Sequence, residues 1–256
     1  MAEYLFNSNW IELVKGKNIF LFFDFDGTLV PIMKNPEDCY LSYELKKLLQ
    51  KLKNKIKIGI LSGRDLKDLR KRISIRGLYY SGSHGLQIES PEIKYINPDA
   101  ERLTPYINEA YRKFKKLTDK FAGMLIEKKD FSFTIHYRQV EPEKRKELKK
   151  IFFDMISKYK GNYIKVLYGK MVFEILPAVN WNKGSAVSFL IDNFQNKHYP
   201  IFIGDDITDE TVFSKINDRG LTIRVGNSKK TMAKYFIRNQ GEVYKFVTIM
   251  NEVLNV

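Results

Sequence analysis

The chain has 256 residues, 44% of them hydrophobic and 14% aromatic, with 44 basic side chains against 30 acidic ones and a net charge of +14. That length suits one large domain or two small ones, and the composition excludes disordered, collagen-like and coiled-coil chains. A lone cysteine, Cys39, allows neither an internal disulfide nor a thiolate metal cluster, so a reducing compartment, the cytoplasm, is expected. The early apolar run Ile19–Phe23 is too short to span a bilayer and no signal-peptide layout precedes it, so no membrane association is expected. The positive excess invites a nucleic-acid partner, but it divides as +6 over residues 1–85, +6 over 86–177 and +2 over 178–256. Its local clusters, at Lys113–Lys116 and Lys144–Lys150, lie in Glu-studded helical patterns that read as solvated faces, so no nucleic-acid partner is expected.

Taken in chain order, Ile19–Phe23, Ile56–Leu61, Leu78–Tyr80, Ile201–Ile203 and Leu221–Val225 are uniformly apolar, as strands buried on both faces must be. Helical spacing occupies Tyr43–Leu52, Leu66–Ile73 and Lys183–Phe194 between them. These elements predict an α/β fold with a parallel sheet covered by helices on both sides. Residues 86–177 differ, with helical patterns at Thr104–Phe121 and Glu143–Tyr159 and strand patterns at Leu125–Glu127, Ser132–Tyr137, Tyr163–Leu167 and Met171–Ile175. The last two flank Tyr168-Gly169-Lys170, a hairpin signal. The expected organisation is therefore a core of 1–85 and 178–256 interrupted by an inserted α+β domain at 86–177.

Acidic residues collect where two of the strands end. Asp24-Phe25-Asp26-Gly27-Thr28 follows the first strand and Asp205-Asp206-Ile207-Thr208-Asp209 follows Ile201–Ile203. Ligands of open α/β sheets bind at such carboxyl ends. Five carboxylates, Asp24, Asp26, Asp205, Asp206 and Asp209, sharing one crevice need counter-charge, and an all-oxygen donor set without His or Cys favours Mg²⁺. Mg²⁺ commonly adds a substrate phosphate oxygen to such a set, so a phosphorylated substrate is expected. Ser62 and Gly63, ahead of a helix, can face an anion, and Lys183 can neutralise a nucleophile's carboxylate. Asp24 is then the candidate nucleophile on phosphorus and Asp26 the candidate acid/base.

In order and spacing, Asp24–Thr28, Leu61-Ser62-Gly63-Arg64, Lys183-Gly184 and Gly204–Glu210 resemble the four motifs of the haloacid dehalogenase-like phosphatases. The resemblance implies a Rossmann-like parallel-sheet core with a substrate-selecting cap. It also implies Mg²⁺ held by Asp24, the Asp26 carbonyl and Asp205, with Gly27, Thr28, Gly63, Arg64, Asp206 and Asp209 supporting the loops and the phosphate. Across nearly its whole length the chain further resembles the trehalose-6-phosphate phosphatases, through Gly82-Ser83-His84-Gly85, Ser132–Arg138, Lys170–Pro177 and the Gly-Asp-Asp-x-Thr-Asp-Glu run. By that resemblance Glu127, Lys129, Arg138, Lys170 and Glu174 contact the sugar. His84 is either a further substrate contact or a core histidine, and Gly82 and Gly85 are candidate hinges. The sequence departs from the family at Leu176, where a basic residue is common, and at Asn182, where Asp is. The implied activity is Mg²⁺-dependent hydrolysis of trehalose 6-phosphate through an aspartyl-phosphate. A phosphatase of another sugar phosphate, such as mannosyl-3-phosphoglycerate or sucrose 6-phosphate, and a non-catalytic partner of a trehalose-phosphate synthase both stay open. The chain is expected to be a monomer, with the synthase as a candidate partner.

Overall fold

The first part of the chain forms Glu3–Tyr4 (β1), Trp10–Val14 (α1), Ile19–Asp24 (β2), Tyr43–Leu52 (α2), Lys57–Leu61 (β3), Leu66–Ile73 (α3), Tyr79–Gly82 (β4), Gln87–Glu89 (β5) and Lys94–Ile96 (β6). The middle forms Pro98–Lys115 (α4), Leu125–Lys128 (β7), Phe133–His136 (β8), Pro142–Ile156 (α5), Ile164–Gly169 (β9) and Val172–Pro177 (β10). Lys183–Asn193 (α6), Tyr199–Gly204 (β11), Glu210–Ile216 (α7), Leu221–Val225 (β12), Tyr235–Ile237 (β13) and Gln240–Val253 (α8) complete it. This computed structural model describes residues 2–33, 35–159, 163–169, 171–195 and 197–254. The chain divides into two compact units, Met1–Tyr95 with Trp181–Val256, and Ile96–Asn180.

Among the described residues the first unit is built on a nine-stranded sheet of order β1-β13-β12-β11-β2-β3-β4-β5-β6. It is parallel from β1 across to β4, and β5 then runs antiparallel to β4. The uniform apolarity of β2 has a simple cause. Ile19, Leu21 and Phe23 pack with Leu49 of α2, Leu69 of α3 and Phe246 of α8, while Phe20 and Phe22 pack on the other face with Leu190 of α6 and Phe213 of α7. Short strands β5 and β6 carry the sheet beyond residue 86, so the boundaries between the units fall at 96 and 180 rather than 86 and 177. Gly82 and Gly85 accordingly lie inside the first unit, Gly82 backed by Leu66 and the Gly85 carbonyl accepting from Trp181 Nε1 at 2.7 Å.

The second unit pairs a four-stranded antiparallel sheet, order β7-β8-β10-β9 among the described residues, with α4 and α5. One face of this sheet is apolar, with Phe173 stacked 4.0 Å from Phe152 of α5. On the other face Glu127, Thr134 and Glu174 stand in register across three neighbouring strands. Helix α4 spans Pro98–Lys115 rather than Thr104–Phe121. Asn97 accepts from the Ala100 N–H at 2.9 Å, Pro98 opens the first turn, and Pro105 is carried in the interior. Helix α8, absent from the sequence reading, is capped by Asn239. No helix among the described residues is long and apolar enough to cross a membrane.

Candidate active site

Buried β2 delivers Asp24, 4% exposed, to the carboxyl end of the sheet. Neighbouring β11 brings Asp205 and, one turn on, fully buried Asp209 to the same end. One oxygen from each of Asp24, Asp205 and Asp209 lies within 4.8 Å of the others. Lys183, at the first turn of α6 and 3% exposed, donates to Asp24 Oδ1 at 2.6 Å and to Asp209 Oδ1 at 2.8 Å. The second Asp209 oxygen accepts the Asp205 and Asp206 N–H groups at 2.9 and 3.0 Å, fixing the loop after β11. Two glycines of the motifs make room for these groups. A Cβ on Gly204 would fall 2.4 Å from Asp209 Oδ2, and one on Gly27, whose φ is +89°, would fall 2.2 Å from Asp205 Oδ2. Thr28 Oγ1 donates to Asp205 Oδ1 at 3.2 Å.

Five converging carboxylates become three. Asp26 turns its carboxylate to Arg64, which donates through Nε and Nη2 at 2.7 Å each. Asp206 Oδ1 instead accepts the Thr208 N–H and hydroxyl, both at 2.6 Å, a local turn that leaves this oxygen occupied. Ser62 is buried, its Oγ accepting the Arg64 N–H at 3.1 Å, and its carbonyl accepts the His84 N–H at 3.0 Å. The His84 ring lies against Gly63, within the first unit.

Burial and mutual repulsion act on the remaining three. Burial pushes the Asp24 carboxyl well above the ordinary range; Lys183 opposes this, and Asp209, Asp205 and Asp206 add to it. Asp205 is pushed up to about 6 by burial and by Asp209 and Asp206. Burial alone would lower Lys183, but Asp209 and Asp24 hold its ammonium well above the lysine range. An all-oxygen triad with raised pKa values and a glycine cradle fits a hard divalent ion. A carboxyl raised in the fold stabilises it fully below the unfolded value, and that contribution is lost as pH rises through the folded one. Without metal, the Asp205 contribution is therefore expected to be lost as pH rises from about 4 to about 6. Excess Mg²⁺ over EDTA is then expected to raise the thermal midpoint more near pH 7.5 than near pH 5; equal shifts would remove this triad as the metal site.

Of the residues expected to contact the sugar, Glu127, Lys129 and Glu174 come together in the second unit. Lys129 Nζ donates to Glu174 Oε1 at 2.7 Å, both side chains largely buried, and His136 sits 3.4 Å from Glu127, whose carboxyl that contact holds below its usual range. Arg138 is exposed beyond β8, and Lys170 lies outside the described residues. Asn182 caps α6 through the Ser185 N–H at 3.0 Å, a role Asp fills equally. Sequence reasoning overlooked Gln240, which donates to the Gly27 carbonyl, and Asp68 and Arg72, which follow Arg64 at four-residue intervals.

A family model described as trehalose-phosphatase matches residues 22–240. The probable trehalose-phosphate phosphatase H of Arabidopsis thaliana is 32% identical over 256 aligned residues, covering 93% of this chain and 73% of that protein. Among solved structures, the C-terminal domain of Candida albicans trehalose-6-phosphate phosphatase superposes with a TM-score of 0.82 at 25% identity, covering 98% of each chain. A haloacid dehalogenase-like hydrolase from Bacteroides thetaiotaomicron shares the fold, with a TM-score of 0.63 at 19% identity over 91% of this chain and all of that one. The acidic strand ends, the buried lysine between them and these alignments agree: the chain belongs to the trehalose-phosphatase family, as a phosphoric monoester hydrolase of haloacid dehalogenase-like fold.

Proposed function

We propose that this chain is a cytoplasmic, monomeric enzyme that hydrolyses trehalose 6-phosphate to trehalose and phosphate with Mg²⁺ as cofactor. The buried Asp24–Lys183–Asp209 cluster carries the reading, because a carboxylate fixed by an ammonium beside further acidic groups is suited to attack phosphorus. Lys183 engages Asp24 Oδ1, leaving the second oxygen to form the bond to phosphorus. A protonated Asp26 keeps only one of the two Arg64 contacts its carboxylate accepts, and its O–H gives the proton to the sugar oxygen as that oxygen leaves with the electrons of the broken P–O bond. Asp26 then accepts a proton from water as that water attacks the aspartyl-phosphate, which releases phosphate and restores the Asp24 carboxylate. Of the acidic triad, Asp24 and Asp205, together with the Asp26 carbonyl, would hold the metal while Asp209 stays paired with Lys183, and a bound metal would supply charge neutralisation to the phosphate oxygens. Buried Ser62 and the Gly63 backbone are suited to orient the phosphate.

In the second unit, Glu127, Lys129 and Glu174 present the charged groups that a disaccharide's hydroxyls require, so sugar recognition falls to them. Phosphate release is expected to be fastest with trehalose 6-phosphate among trehalose, sucrose and glucose 6-phosphates and mannosyl-3-phosphoglycerate, and to need Mg²⁺. In the same assay Glu174→Ala is expected to raise KM for trehalose 6-phosphate by about 10- to 100-fold while a small aryl phosphate changes by about twofold or less. Equal turnover of the four sugar phosphates would reject the trehalose assignment, and equal losses for Glu174→Ala would reject its sugar role.

A further inference from the structure

We propose that Asp68 and Arg72 are positioning residues that set the acid/base carboxylate of Asp26 through Arg64. Arg64 grips both Asp26 oxygens with one side of its guanidinium, Nε and Nη2. Its remaining nitrogen, Nη1, donates to Asp68 Oδ2 at 3.1 Å, and that same oxygen accepts Arg72 Nε at 2.7 Å. Arg72 is 4% exposed and is itself fixed to backbone: its Nη1 donates to the Glu37 and Cys39 carbonyls at 2.8 and 3.1 Å. The ring of Phe25 lies 5.6 Å from the Arg64 guanidinium carbon. A line of alternating charge thus runs from main-chain carbonyls of the loop ahead of α2, along one face of α3, to the residue two positions after the nucleophile.

The chemistry of arginine makes this line directional. A guanidinium is a rigid planar fork, so anchoring one edge on Asp68 fixes where the opposite edge holds its carboxylate partner. A lysine at position 64 would supply charge without that geometry. Displacing a catalytic group by about 1 Å costs up to about 100-fold, so the reach of Asp26 to a leaving oxygen depends on how firmly Arg64 is held. Arg72, 4% exposed, shares its Asp68 partner with Arg64 and is held from the other side by the Glu37 and Cys39 carbonyls.

This inference rests on Asp26 being the acid/base, so the test carries that reading as its own control. Sugar phosphates have poor leaving groups that need protonation, whereas a nitrophenyl phosphate leaves without it. Asp26→Asn and Asp68→Asn are compared on trehalose 6-phosphate and on p-nitrophenyl phosphate with Mg²⁺ by the single-turnover rate of leaving-group release, because hydrolysis of the aspartyl-phosphate, where Asp26 acts as base, is common to both substrates. Asp68→Asn is expected to lower the single-turnover rate on the sugar phosphate by about 10- to 30-fold with half-saturation within about twofold, and to lower that on the aryl phosphate by about threefold or less. Asp26→Asn is expected to show the same asymmetry with larger losses. An asymmetric Asp26→Asn beside an Asp68→Asn that loses equally on both substrates, or on neither, overturns the positioning role. A symmetric Asp26→Asn overturns the acid/base reading itself, and the positioning role with it. If Asp68→Asn does not fold, Arg64→Lys, which keeps the charge and loses the fork, is expected to give the same asymmetry, and a uniform loss there is equally decisive against the proposal.

Discussion

Asp24→Asn is expected to lower phosphate release from trehalose 6-phosphate by about 10⁴-fold or more while leaving the chain folded. The amide is nearly isosteric and its oxygen still accepts from Lys183, but it cannot form the bond to phosphorus. Removing one member of a triad of carboxylates within 4.8 Å also removes repulsion, so the thermal midpoint in EDTA is expected to hold or rise. Phosphate release and thermal unfolding of the same preparation check both parts. Turnover within about 100-fold of the parent would take Asp24 out of the chemistry.

Lys183→Met is expected to cost about 3–5 kcal/mol of stability, because it strips the shared cation from two buried carboxylates. For a chain of this size that corresponds to a fall in thermal midpoint on the order of 10 °C. The sign with pH follows from the groups involved. Lys183 is held above the ordinary lysine range, so its contribution is fully present at neutral pH and is lost only in strong alkali. Once it is gone, Asp24 and Asp209, whose carboxyls burial already raises, are left without it. Protonating them relieves the cost, so the deficit is expected to be larger near pH 7.5 than near pH 5. A midpoint within about 2 °C of the parent at both values would contradict the ion-pair account.

How much of this was readable in advance depends on the kind of signal. The strands Ile19–Asp24 and Leu221–Val225 announce themselves because both of their faces are buried, and uniform apolarity has few other causes in short runs. The Asp24, Asp205 and Lys183 positions were legible because each lies at the end of an element whose burial fixes its direction. The convergence of five carboxylates was not: two of them, Asp26 and Asp206, find other partners, and a charge count cannot see an arginine 38 residues on or a threonine two residues on. Helix α4 begins earlier than the Thr104–Phe121 pattern because Asn97 caps it and Pro98 opens it, with Pro105 carried inside. The Arg64, Asp68, Arg72 spacing was visible as an i, i+4 pattern, yet surface helices carry that pattern so often that only the 4% exposure of Arg72 separates it from them.

The most direct measurement is an acid quench of the parent enzyme turning over trehalose 6-phosphate labelled in its phosphate, followed by peptide mapping. Label is expected on the peptide containing Asp24, released by hydroxylamine as an acyl-phosphate must be, and absent from Asp24→Asn. Label on another residue, or steady turnover with the label never reaching Asp24, would contradict it.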